Sequence, residues 1–193
     1  MNRYTHDNQD GIRVEFSEVS NVVIIEDVTS KYNVNDGIQI RDSGVTVKDS
    51  TFSHNDNQGI RIAGEEMSYP TQVKFEGTVS SHHNREDGIE VVNSGIGGGA
   101  YSDVNVKGVL NTYLNGRDGL VIRPNADSNF IVEDHGSFNS CQNYVDTIFS
   151  NGFDIRNSGQ VTFEGTKGYT CDTKIVLGSG DLPDTCTPCP DCN

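Results

Sequence analysis

The sequence predicts an all-β chain, a right-handed parallel β-helix (a solenoid of about six coils) with a Cys-rich C-terminal tail. Three observations predict it. A turn dipeptide followed by an apolar-x-apolar stretch recurs along the chain, a second apolar alternation follows each copy, and each unit is too small to bury its own apolar face. Alternation with a period of two marks strands, and no long segment shows the apolar period of a helix.

The first strand of each repeat opens on Gly after an Asp, Gln or Asn. It reads Asp10-Gly11-Ile12-Arg13-Val14, Asp36-Gly37-Ile38-Gln39-Ile40, Gln58-Gly59-Ile60-Arg61-Ile62, Asp87-Gly88-Ile89-Glu90-Val91, Asp118-Gly119-Leu120-Val121-Ile122 and Asn151-Gly152-Phe153-Asp154-Ile155. Successive glycines stand 26, 22, 29, 31 and 33 residues apart. The expectation for these glycines is a turn that needs positive φ.

The second strands are Val23–Ile25, Val45–Val47, Val73–Phe75, Val104–Val106, Phe130–Val132 and Val161–Phe163. Asp27, Asp49, Gly77, Gly108, Asp134 and Gly165 follow them. An asparagine stands four residues before the next glycine at Asn33, Asn55, Asn84 and Asn115, with Asp7 in that place at the start. Stacked coils turn these into a column of buried amides that hydrogen-bond backbone and one another. Outward positions after the second strands read Glu26, Lys48, Glu76, Lys107 and Glu133, an alternation of sign that supports register between neighbouring strands.

The β-helix is expected over residues 1–178, with 179–193 a Pro/Cys-rich tail or linker. The chain carries 28 Asp+Glu against 14 Lys+Arg, a net charge of −14, which argues against nucleic acid as a partner. It suits cations and neutral or basic glycans. The start Met1-Asn2-Arg3-Tyr4 has no signal-peptide character, and no apolar run is long enough to span a membrane. The abrupt first coil leaves an end that needs a cap, so the expectation is a fragment or a mature domain cut from a longer chain, with other domains as partners.

Five cysteines fall into two groups. Cys141 and Cys171 occupy corresponding late parts of successive coils and are candidates for a disulfide, which geometry decides. Cys186, Cys189 and Cys192 have the spacing of either a disulfide-bonded tail or three ligands of a metal.

The Asn-x-x-Asp-Gly-Ile strand followed by Val-x-Val-x-Asp resembles the repeats of the pectin lyase-like superfamily, which includes carbohydrate-binding and sugar-hydrolase repeat proteins. The resemblance covers residue 7 to about 177. It implies a β-helix of a secreted or cell-surface protein with polysaccharide or glycan as ligand, but the superfamily spans lyases, hydrolases, epimerases, tailspikes and adhesins, and fold alone does not choose. Polygalacturonase-like enzymes carry Asn-Thr-Asp, Asp-Asp, Gly-His-Gly and Arg-Ile-Lys. Here Asn35-Asp36-Gly37-Ile38 matches only the first, Asp56-Asn57 replaces the paired aspartates, and the other two are missing, as is the Asp-Pro-His of alginate epimerases.

Two functions follow as expectations. The first is a noncatalytic extracellular module, carbohydrate-binding or structural and adhesive. The second is a polysaccharide-active lyase, epimerase or hydrolase. Its candidates are Tyr32, His54 and His83, each preceding a column asparagine and so pointing outward, with Arg41 and Arg61 to bind a uronate carboxylate. Separately, Asp36, Asp87 and Asp118 line one edge with oxygens suited to Ca²⁺, or cap turns by bonding backbone N–H.

Overall fold

The computed structural model describes residues 8–16, 22–65, 70–93, 101–123, 129–133 and 136–143 with their side chains. It adds the backbone of 3–5, 127–128, 155–157, 160–164, 169–171 and 175–177. The short strand β1 (Arg3–Thr5) precedes the first full turn, β2 (Ile12–Glu15), β3 (Val23–Glu26) and β4 (Val28–Lys31). The next turns are β5 (Ile38–Arg41), β6 (Gly44–Lys48) and β7 (Thr51–Ser53), then β8 (Ile60–Gly64), β9 (Thr71–Glu76) and β10 (Thr78–His82). A fourth turn is β11 (Ile89–Asn93), β12 (Tyr101–Val106) and β13 (Val109–Tyr113). The same order runs on through β14 (Leu120–Ile122), β15 (Asp127–Val132), β16 (Ser137–Cys141), β17 (Ile155–Asn157), β18 (Gln160–Glu164), β19 (Tyr169–Cys171) and β20 (Ile175–Leu177).

Three parallel sheets result. Sheet A is β1-β4-β7-β10-β13-β16-β19, sheet B is β2-β5-β8-β11-β14-β17-β20, and sheet C is β3-β6-β9-β12-β15-β18. The fold is a β-solenoid, and no helix occurs among the described residues; none is long and apolar enough to cross a membrane.

Register aligns the apolar positions into columns. Ile12, Ile38, Ile60, Ile89 and Leu120 stack along sheet B, and Val23, Val45, Val73, Val104 and Phe130 along sheet C. The core holds Ile38, Ile60, Ile89 and Leu120 without solvent contact, and each such side chain contributes roughly 1.5–3 kcal/mol by burial. A one-residue slip of any strand would turn its whole apolar set to water, which locks the register.

The last repeat departs from its expected alignment. Leu120 pairs with Ile155, not with Phe153, and Phe130 pairs with Phe163, not with Val161. A shift of two preserves the faces, since side chains alternate with period two.

The glycines serve close approach, not positive φ. No left-handed φ occurs at Gly37, Gly59 or Gly88; a Cβ on Gly37 would instead lie 2.7 Å from Gly59 O and from Asn55 Nδ2. On this corner the left-handed conformation belongs to the residue before each asparagine: Tyr32, His54, His83, Leu114 and Gln142 have φ between 52° and 58°, and other corners place it at Phe16, Asp27, Asp42, Asp49 and Gly77. Behind them the asparagine column forms as expected. Asn33 Nδ2 donates to Asn55 Oδ1 (2.8 Å), Asn55 to Asn84 (2.9 Å), Asn84 to Asn115 (3.0 Å) and Asn115 to Asn143 (2.9 Å).

Candidate functional site

Sheet A turns sharply into sheet B at the left-handed residue of each coil. That bend directs the side chain outward while the next residue, the asparagine, points in. Tyr32, His54 and His83 therefore emerge one above another on successive turns. Their rings adjoin: Tyr32 lies 5.2 Å from His54 between centroids with planes tilted at 45°, and His54 stacks on His83 at 5.0 Å with planes 1° apart. The three candidates are brought together.

Two residues join them that sequence reasoning missed. His82 and Tyr113 are the last outward positions of β10 and β13, paired in register, with centroids 4.6 Å apart and planes at 7°. The two stacks meet where His82 Nδ1 lies 2.8 Å from His83 Nδ1. Lys31, at the matching place on β4, sits 5.4 Å above the Tyr32 ring. The outward parity of sheet A could have revealed His82 and Tyr113, had those strands been recognised.

Two of the imidazoles, His82 and His54, are pushed toward the neutral form. Burial, then the neighbouring His83 and His54, push His82 down to about 4. Burial, then His83 and Lys31, lower His54 as well. Where rings stack, His54 on His83 and His82 on Tyr113, the ledge offers ring edges: imidazole nitrogens and phenol oxygens, each able to donate or accept a hydrogen bond. Tyr32 is 54% exposed, and His54 and His83 are exposed too.

Arg41 and Arg61 lie elsewhere, on the outer face of sheet B. Arg41 bonds Glu65 (Nη1 to Oε2, 3.0 Å) and pairs with Glu15. Arg61 Nε lies 3.3 Å from Glu90 Oε2. Arg123 donates to the same carboxylate through Nε (2.6 Å) and reaches Asp87 Oδ2 at 3.4 Å. The face is thus a self-compensated network around the buried Glu90.

Asp36, Asp87 and Asp118 form one column, but it is buried, with each of the three at most 2% exposed. For Asp36 and Asp87 the bond reaches the next coil: Gln58 N–H donates to Asp36 Oδ1 (3.2 Å) and Asp118 N–H to Asp87 Oδ1 (3.1 Å). Burial raises Asp36 to about 7, opposed by Arg61 and the Gln58 N–H, and raises Asp87 to about 6, opposed by the Asp118 N–H and Arg123. Among the described residues, no three His, Cys, Asp or Glu side chains gather as a metal-ligand set.

Cys141 is disulfide-bonded. The side chain of its expected partner Cys171 lies outside the described residues; the backbone register sets Cys171 opposite Ser140, beside Cys141. Cys186, Cys189 and Cys192 also lie outside them.

The alternating column on sheet C behaves as its signs suggest. Lys48 Nζ bonds Glu26 Oε1 at 2.6 Å and Lys107 Nζ lies 3.1 Å from Glu133 Oε2, on adjacent strands. No family model matches the chain, and no curated protein or solved structure shows a significant match.

Proposed function

We propose that the chain is a noncatalytic extracellular carbohydrate-binding module, related to the pectin lyase-like superfamily, that meets glycan at the ledge of Tyr32, His54, His82, His83 and Tyr113. The observation that supports this is the ladder of adjoining rings across four successive turns, stacked in the pairs His54–His83 and His82–Tyr113, with Tyr32, His54 and His83 exposed. Rings held by one another lose little further freedom on binding, so their hydrogen bonds to sugar hydroxyls come at small entropic cost. Tyr adds apolar area with a polar tip, a pairing common at recognition surfaces.

A second reading, a polysaccharide-active enzyme, draws on one observation. Burial, His83 and Lys31 push the His54 imidazole toward its neutral form 5.2 Å from the Tyr32 ring, a base beside a phenol. Against it, the arginines that would hold a uronate are engaged with Glu15, Glu65 and Glu90.

The test is a panel of neutral, acidic and basic polysaccharides offered to the purified protein with and without Ca²⁺. It follows retention, ultraviolet absorbance of unsaturated products and release of reducing ends. Retention without product supports the module. Product that disappears in the His54→Ala, His83→Ala double variant supports the enzyme, and no retention of any glycan overturns both.

A further inference from the structure

The three outer faces differ in charge. Sheet B presents Arg13, Glu15, Arg41, Arg61 and Glu90, and sheet C presents Glu26, Lys48, Lys74, Glu76 and Asp103. In β4, β7, β10, β13 and β16 of sheet A the one ionised side chain is Lys31. For a chain of net charge −14, that is a strip with a single charge across the five strands.

Its central row is Thr29, Thr51, Ser80, Asn111 and Asn139, aligned residue to residue by the strand register and all half-buried. Asn139 Nδ2 donates to Asn111 Oδ1 (2.8 Å), and Asn111 Nδ2 to Ser80 Oγ at 3.4 Å. Each amide nitrogen has two hydrogens, so one on each remains for a ligand while the other fixes its orientation. On one flank of the row stand His82 and Tyr113, members of the ring ledge.

We infer that the outer face of sheet A is the binding surface for a neutral, extended polysaccharide, laid along the solenoid axis over the row Thr29, Thr51, Ser80, Asn111 and Asn139 with the ring ledge as its wall. The inference rests on the carbohydrate-binding reading and names its ligand class. Strands repeat every ~4.8 Å, close to the length of one pyranose in an extended chain, so each turn offers one sugar a hydroxyl or amide partner. Five strands span about 19 Å by the same spacing, room for a short run of sugars. An acidic polymer meets the overall negative field and finds a single cation here, and a basic polymer finds no carboxylate in these strands. A hydroxyl-bearing neutral chain matches the row in both charge and hydrogen-bonding character.

The test uses the full chain and affinity electrophoresis in gels containing hydroxyethylcellulose (neutral), polygalacturonate (acidic) or chitosan (basic). Thr51→Arg and Asn111→Arg place bulk and charge in the row, and Thr46→Arg places the same group on sheet C. Circular dichroism confirms that each variant keeps the β fold. The expected result is retention by hydroxyethylcellulose, weakened at least tenfold by Thr51→Arg and Asn111→Arg and unchanged by Thr46→Arg. Retention by a glycan that ignores both sheet A variants but falls with His54→Ala and His83→Ala overturns this inference and leaves the module standing. Retention only by polygalacturonate or chitosan overturns it as well. Absence of retention across a wider glycan panel overturns the carbohydrate-binding reading itself.

Discussion

His82 and His83 are consecutive residues, yet their Nδ1 atoms lie 2.8 Å apart. In an extended strand, neighbours point to opposite faces. The left-handed φ of 54° at His83 breaks that alternation and swings its ring back beside His82. A contact of this length between two ring nitrogens requires one to carry the proton and the other to accept it. Both rings charged is incompatible with it.

The pair therefore responds to acid. His82 titrates at about 4 in the folded chain against an ordinary 6.5, because of burial and then the neighbouring His83 and His54. Its folded value is depressed, so the stability it supports is present above pH 6.5 and is lost as pH falls toward 4. Nitrogen-detected NMR should show the His82 ring neutral at pH 5.5. Protonation of that ring near pH 6.5 would contradict the contact, and His82→Gln should reduce the acid-side loss of stability.

Asp36 acts with the opposite sign. Burial lifts it to about 7 from an ordinary 3.8, so its contribution is full below the ordinary value and fades as pH rises through 7. The cost of ionising it in place is on the order of a few kcal/mol. Asn in its place keeps an oxygen for the Gln58 N–H and removes the charge. Asp36→Asn should be more stable than the parent at pH 8 and similar at pH 4, measured by urea unfolding at each pH. Equal pH dependence in the two proteins would show that Asp36 is not the titrating group.

The asparagine column carries a larger share of stability than its exposed counterparts. Asn84 accepts from Asn55 N–H and Nδ2 (3.1 and 2.9 Å) and donates to Asn115 Oδ1 (3.0 Å) and Ser81 Oγ (3.2 Å), all buried. Asn84→Ala strands the Asn55 N–H and Nδ2 donors, while Asn115 Oδ1 keeps the Asn84 backbone N–H (3.1 Å), and each unsatisfied buried group costs ~1–3 kcal/mol. We expect a total loss of about 3 kcal/mol or more, read from the urea midpoint. Asn111→Ala, in the half-buried row outside, should cost under about 1 kcal/mol.

Gly37 tests the reason for glycine before each sheet B strand. A Cβ there meets Gly59 O of the next coil at 2.7 Å, a backbone atom with no freedom to retreat. Gly37→Ala should destabilise by several kcal/mol or abolish the cooperative transition, since overpacking against backbone forces adjacent coils apart. If the glycine served only turn conformation, Gly37→Asn would be well tolerated; the larger side chain should instead be worse than alanine.

Where sequence reasoning succeeded and failed follows from what each strand buries. Sheets B and C bury Ile, Val and Phe, so Ile38, Ile60 and Ile89, or Val45, Val73 and Val104, announce themselves by apolar alternation. Sheet A buries a single core hydrophobic per strand, Val28, Phe52, Val79, Leu110 and Phe138, and fills most of its other inward places with Ser30, Ser81, Thr112 and Ser140. Ser30 and Ser81 satisfy their hydroxyls on Gly37 O (2.7 Å) and Gly88 O (2.6 Å), bonds that link distant points of the coil. One apolar residue per strand beside a polar one with internal partners makes no apolar alternation, so the third strand of each coil, and with it His82, Tyr113 and the Thr29–Asn139 row, stayed hidden. The aspartates were legible as a column along one edge, but not their burial: Asp36 and Asp87 accept a backbone N–H from the next coil, a partner that local sequence does not name.

By itself the sequence determined the architecture, because a repeat too small to bury its own apolar face must stack on its neighbours. The spacing of Gly, Asn and outward residues also determined that Tyr32, His54 and His83 share one edge. Only the tertiary structure decided which side chains meet across turns. The left-handed bend joins His82 to His83, the close approach of coils demands Gly37, and ion pairing with Glu15, Glu65 and Glu90 draws Arg41 and Arg61 into a separate face. Those contacts connect residues more than twenty positions apart, or depend on a single backbone angle, and neither is written in local composition.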